Sequence, residues 1–285
     1  MSTFSPSEAA LEGFRLSRER PGAILAWSGV YFLGIMLIAG VMMLGIGQQF
    51  IVFLRDDSLQ SGDPAAVARF GEMLAKSWPA FIVALVIAVF VLAVLTGGMY
   101  RLVLRPQERG FAHLRLGADE VRLAATHFLL VLIGVGALLL VEVVLQLAQR
   151  AVGGLFVSLL ALVGVALMTW MGVRLSLATP YAFAEKRISL RGAWEMTQGK
   201  FWRLLAMILL SLLFYIMIWV LFAIISYVIA QLAGGQQAVM AMTKPSVMVL
   251  FAFVVIMAIQ LLLPILQAVM VYAPFAVAYR QLRDS

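Results

Sequence analysis

Read from its N-terminus, the chain alternates between charged, amphipathic stretches and apolar runs too long for a soluble helix. Six runs stand out, at roughly 23–54, 78–104, 123–148, 154–179, 204–233 and 247–279. A hydrocarbon core of about 30 Å is crossed by about 20 helical residues, so each run is long enough to span. The longer ones predict tilt or extension past the bilayer rather than extra crossings. Strand-like alternation is absent, and backbone groups in hydrocarbon must be satisfied within the segment, so the runs predict helices. The expected fold is all-α: a polytopic membrane helix bundle of about six transmembrane helices forming a single domain over residues 1–285.

Between the runs, three shorter segments carry helical signals. In 63–76, Asp63-Pro64 supplies a cap and a first-turn proline, and Val67, Phe70 and Leu74 follow at helical spacing. This predicts an amphipathic helix on the outer surface. In 189–198, Ser189 caps, Leu190, Ala193, Trp194 and Thr197 form one face, and Gly199 terminates. Together with 6–20, this segment predicts interfacial helices on the inner surface. The connection from Gln149 to Gly153 is so short that the third and fourth helices must be antiparallel neighbours.

The inner thresholds resemble one another. Phe14-Arg15-Leu16-Ser17 aligns with Leu114-Arg115-Leu116-Gly117 and, more loosely, with Trp194-Glu195-Met196-Thr197. One reading is three tandem units, each an inner helix followed by a hairpin, an arrangement that places transporter sites at repeat interfaces. The other is that any chain entering a membrane repeatedly shows a basic, amphipathic threshold.

Composition agrees with the pattern. Hydrophobic residues make up 64% and charged residues 12%, against about half and a quarter in soluble domains; the mean hydropathy is +1.02. The first apolar run exceeds a signal-peptide core and no cleavage pattern interrupts it, so it reads as a retained first helix. Sixteen of the 21 Lys and Arg residues fall on one side if the N-terminus is inside. The positive-inside rule then predicts a bacterial inner-membrane protein with both termini cytoplasmic. The net charge of +7 is better matched to anionic headgroups on that side than to nucleic acid.

The segment Ser189-Leu190-Arg191-Gly192-Ala193-Trp194-Glu195-Met196-Thr197-Gln198-Gly199-Lys200-Phe201-Trp202 resembles one common in poorly characterised bacterial six-helix membrane proteins. The terminal Tyr272-Ala273-Pro274-Phe275-Ala276-Val277-Ala278-Tyr279-Arg280-Gln281-Leu282-Arg283 is similar to their last helix. That group includes the membrane domain found with some glycerophosphodiester phosphodiesterases. The resemblance covers mainly the C-terminal half, implies a six-helix membrane domain, and brings no catalytic residue.

Candidate chemistry is sparse. The chain has no cysteine and two histidines, His113 and His127, whose spacing does not form a metal pair, so no metal or cofactor is expected. Gly97-Gly98 and Gly153-Gly154 lack the Lys and Ser/Thr of a phosphate loop. Glu142 is the one acidic residue well inside an apolar run, and such residues usually face a bundle interior. With Gln146, Gln260 and Gln267 it defines a candidate polar cavity; ordinary interhelical hydrogen bonding is the alternative. Arg101, Arg174 and Arg280 are candidate headgroup contacts, Arg174 with snorkelling to the interface as its plainer role. A non-enzymatic envelope scaffold or lipid- and protein-organising factor is therefore expected, with lipids and a homo-oligomeric or membrane-protein partner. A transporter of lipid or small molecules through a cavity near Glu142 is the alternative.

Overall fold

A computed structural model describes residues 4–47, 63–108, 110–151, 154–241 and 246–284. Ten α-helices follow one another in these residues: α1 Pro6–Glu19, α2 Pro21–Ile46, α3 Pro64–Leu104, α4 Ala118–Ala151, α5 Gly154–Leu175, α6 Ala178–Ala184, α7 Leu190–Met196, α8 Phe201–Leu232, α9 Gln236–Ala241 and α10 Val247–Arg283. A single 3-10 turn, Phe111–His113, precedes α4. Six segments are long and apolar enough to cross a membrane: Pro21–Ile46, Ala75–Leu104, Phe111–Arg150, Gly154–Ala184, Phe201–Leu232 and Val247–Arg283. The protein is a multi-pass helical membrane protein. The expected continuation of the first span to residue 54 lies outside the described residues.

Local signals set several helix ends. Asp63 accepts from the backbone N–H of Ala65, with Pro64 at the first helical position. Ser189 accepts from Gly192 at 3.0 Å, and Gly199, at φ +72°, supplies the left-handed turn before α8. The amphipathic segment from Asp63 forms the expected helix, which meets the second span end to end within α3 across a non-helical break at Ser77 (φ −112°, ψ 15°). Pro79 accounts for the kink: its ring cannot donate to the preceding turn and crowds that turn's carbonyl.

Small residues set how closely the spans approach. A Cβ on Gly34 would come within 2.8 Å of Val91 Cγ2, and one on Gly45 within 2.3 Å of Ala80 Cβ. Eleven residues along α2 thus match eleven residues back along α3, the register of a close antiparallel hairpin. Gly164 of α5 meets Val141 of α4 in the same way, at 2.8 Å.

The first helix departs furthest from expectation. In place of an apolar face resting on lipid, α1 buries Ala9, Ala10, Gly13 and Leu16 within the bundle. It packs against α10 and α8, with Phe14 edge-on to Phe214 at 5.1 Å between centroids. Ser5 N–H donates to Gln281 Oε1 at 3.3 Å, and Gln281 Nε2 donates to Glu8. Further along, a Cβ on Gly13 would lie 2.6 Å from Met270 Sδ and 3.0 Å from Met270 Cα. The flat Ala-Ala-Gly face is what lets a helix seat this closely on another. Of the three similar threshold segments, those before α2 and α8 are helical, whereas the one before α4 is a non-helical stretch after the 3-10 turn.

Replacing Gly13 with Val should push α1 away from α10, because the Met270 backbone cannot yield as a side-chain tip can. A loss of about 1–3 kcal/mol is expected, read as a lowered melting temperature in mild detergent, whereas Gly22→Ala, where a Cβ meets nothing within 4 Å, should leave the midpoint unchanged.

Candidate functional site

Contacts between distant segments gather the charged stretches at one end of the bundle. Arg105 donates to Phe183 O at 3.1 Å, Arg280 to Val103 O at 3.3 Å, and Tyr279 to Glu185 at 2.6 Å. At the centre of this end, Arg101 of α3 is ion-paired with Glu120 of α4, with side chains 2% and 1% exposed. A charge in such a place must be paired and hydrogen-bonded, because desolvation of a lone ion costs several kcal/mol. Arg101 meets that need by also donating to His113 O at 2.9 Å and lying over the Phe183 ring.

The sequence around Glu120 is shaped for this pair. A Cβ on Gly97 would stand 2.9 Å from Glu120 Oε1, and one on Gly98 would stand 3.1 Å from Trp27 Nε1. The two glycines open the α3 surface to the carboxylate and to the indole. Trp27 donates to Ala112 O at 3.0 Å. Ala112 and His113 both adopt positive φ, 48° and 57°, an uncommon conformation for residues with a side chain. Trp27 and Arg101 therefore hold the carbonyls of a strained turn from two sides.

Around the buried pair lies a cleft of about 380 Å³ walled by Arg105, Arg115, Asp119, Arg122 and Lys186. Asp119 accepts from Arg105 at 3.2 Å and from Arg122 at 2.8 Å, and Glu108 lies 3.5 Å from Arg115. These guanidinium groups are braced by carboxylates, so the cleft is an ion-pair lattice closing one end of the bundle.

The expected headgroup contacts separate. Arg101 is internal, in the pair just described. Arg280 is exposed and donates to the backbone of α3. Arg174 is different: it is 7% exposed, its guanidinium lies 4.6 Å over the Trp194 ring, and its buried Nε has no hydrogen-bond partner. No carboxylate pairs with it among the described residues. Trp194 is positioned by Trp170, edge-on at 5.0 Å, and Thr197 donates to Arg174 O at 3.0 Å, tying α7 to the end of α5.

The expected polar cavity is not assembled from its four residues. Glu142 and Gln146 are exposed on α4 and bond to each other at 2.8 Å, one turn apart. Gln260 is exposed on α10, and α4 and α10 share no extended contact. Of the four, Gln267 lines a cavity, between α8 and α10. The reason is rotational: α4 is apolar on every side, so its sequence does not mark which face turns inward. The buried acid is Glu120 instead. It stands beside Asp119 and Arg122 in a stretch that reads as solvated, and the signal that could have found it is the Gly97-Gly98 pair on the facing helix.

A cleft of about 330 Å³ does open elsewhere, between the α4–α5 hairpin and α8 with α10. His127, Met171, Ile208 and Tyr272 are among its walls. Its polar side chains are mostly engaged behind it: His127 with Thr96 at 3.2 Å and Thr179 with Tyr100 at 2.6 Å.

Glu120→Ala should strand Arg101 and cost about 3–5 kcal/mol. Replacing both residues, Arg101→Met with Glu120→Leu, should recover much of the loss, as measured by melting in detergent. Glu142→Gln, by contrast, should leave the melting midpoint where it is.

No protein-family model matches this chain, and no curated protein and no solved structure matches it either.

Proposed function

We propose that this chain is a non-enzymatic protein of a bacterial inner membrane, with its charged end cytoplasmic, that engages anionic lipid headgroups there and so organises lipid or partner proteins. One observation carries the reading: Arg174 is a buried cation whose counter-charge does not come from the described residues. Arg101, equally buried, shows what such a group requires, namely a carboxylate and a carbonyl. At the level where a spanning helix ends, the anion at hand is a lipid phosphate. A guanidinium resting on an indole face, with its terminal nitrogens beyond the buried Nε, suits the forked geometry of phosphate oxygens.

The orientation in this reading rests on the excess of Lys and Arg at the same end. The transport alternative drew on Glu142, and an exposed Glu142 bonded to its own helix neighbour gives it little support.

The test is lipid retention by the full chain through delipidation, followed by native mass spectrometry in phosphatidylglycerol and in phosphatidylcholine. Wild type should keep phosphatidylglycerol preferentially. Arg174→Gln should weaken retention about tenfold or more, since a hydrogen bond to a charged group is worth about 1.5–3 kcal/mol. Equal retention by the two proteins, or no preference between the two lipids, would end this reading.

A further inference from the structure

Hydroxyl groups on apolar helices usually bond back to a carbonyl one turn earlier. Ser28 does so to Ile24, Thr96 to Leu92, Thr126 to Arg122, Ser158 to Gly154 and Thr169 to Val165. Ser211, in α8, does not. It is 4% exposed, and its Oγ has no hydrogen-bond partner. It lies ten residues into the helix, about 15 Å from the helix start, a depth at which water does not compensate an unsatisfied polar group.

Ser211 faces a cavity of about 120 Å³ between α8 and α10. Ile208, Ser211, Leu212 and Tyr215 follow the i, i+3, i+4, i+7 spacing of one helix face. Gln267, Val271 and Phe275 form the matching stripe on α10. The side chains of Tyr215 and Gln267 also make no hydrogen bond within the described residues. Three groups able to donate and accept thus border one small space in an otherwise apolar wall, with Ser211 buried, Tyr215 half-buried and Gln267 exposed.

The space is not isolated. Ile208, Val271 and Phe275 line both this cavity and the cleft of about 330 Å³ beside the α4–α5 hairpin. No Asp, Glu, Lys or Arg borders either compartment, so an ion has nothing to pair with. In the cleft, His127, Ser176 and Thr179 already hold hydrogen bonds with Thr96, Val173 O and Tyr100. Tyr272, which also lines the cleft, makes no side-chain hydrogen bond among the described residues, so free polarity borders both compartments, and the wide end adds hydrocarbon contact.

We propose that this pair of compartments binds an uncharged oxygenated lipid. Its carbonyl or hydroxyl group hydrogen-bonds Ser211 and Gln267, and its hydrocarbon lies past Ile208 and Phe275 into the cleft. The narrow chamber is smaller than the cavity of about 150 Å³ that accommodates benzene in an engineered protein, which admits an ester carbonyl, a hydroxymethyl group or the edge of a quinone and excludes a sugar or phosphate head. The site is separate from Arg174 and does not depend on the anionic-lipid reading.

The experiment uses the full chain in phosphatidylcholine nanodiscs, titrated with dioctanoylglycerol, farnesol and decylubiquinone. These three probes represent the three sources of the shared chemistry. At least one should bind saturably, and the one that does identifies the source. Ser211→Ala should weaken that binding about tenfold, the upper range for losing one neutral hydrogen bond, while leaving the ligand-free melting midpoint equal to or above wild type. Gln267→Leu should weaken it as well. Absence of saturable binding by all three probes overturns the proposal and leaves ordered water as the partner of Ser211. So does binding that neither substitution alters.

Discussion

Where α3 ends and α4 begins, two opposite charges leave solvent together, and much of the surrounding structure follows from the need to accommodate them. Arg101 and Glu120 can be internal only if each is met by the other; Arg101 has a carbonyl besides, whereas Glu120 Oε2 has no further partner among the described residues. That requirement explains the missing side chain at Gly97, which lets the carboxylate reach α3. It also explains the reversed backbone at Ala112 and His113, which turns a carbonyl toward the guanidinium. Trp27 from α2 and Phe183 from α6 then complete the enclosure. One pair thereby joins four parts of the chain that a hydrocarbon solvent alone would have little reason to hold together, because lipid tails are as apolar as the helices themselves.

The same end of the bundle carries two solutions to the same electrostatic problem. Around Arg101 and Arg105 counter-charges are built into the chain, with three carboxylates among five cations. Around Arg174 the chain provides only aromatic packing from Trp194 and a clamp on the carbonyl from Thr197. The difference separates a load held internally from one shared with the surroundings, and it is why a lone arginine is more informative about partners than the denser lattice beside it.

How much of this could be read from residues alone depends on the range of each signal. The six spanning segments are set by run length against bilayer thickness, and the caps at Asp63 and Ser189 by their own side chains; all are local and all were legible. The break between the segment from Asp63 and the second span was legible as well, falling at Ser77 where the charged stretch gives way to the apolar run. Glu142 drew attention as the acid deepest in an apolar run, yet α4 has no polar stripe to fix its rotation, and the residue faces outward. Ser211 carried no sequence signal: a serine in an apolar helix ordinarily satisfies itself, and the failure of that bond at a buried position distinguishes it.

The seating of α1 on α10 has a consequence for biogenesis. Of the described helices, α1 leaves the ribosome well before α10, so the contact between Gly13 and Met270 closes only after every described helix between them has been made. Until then only α8 among its two main partners is present, and the lipid interface is an available host for the face that α10 later covers. The pattern that predicts a surface-bound helix therefore describes the nascent chain, and the buried helix describes the finished one. Docking of α1 on α10 is a long-range closure that follows the synthesis of the described helices between them.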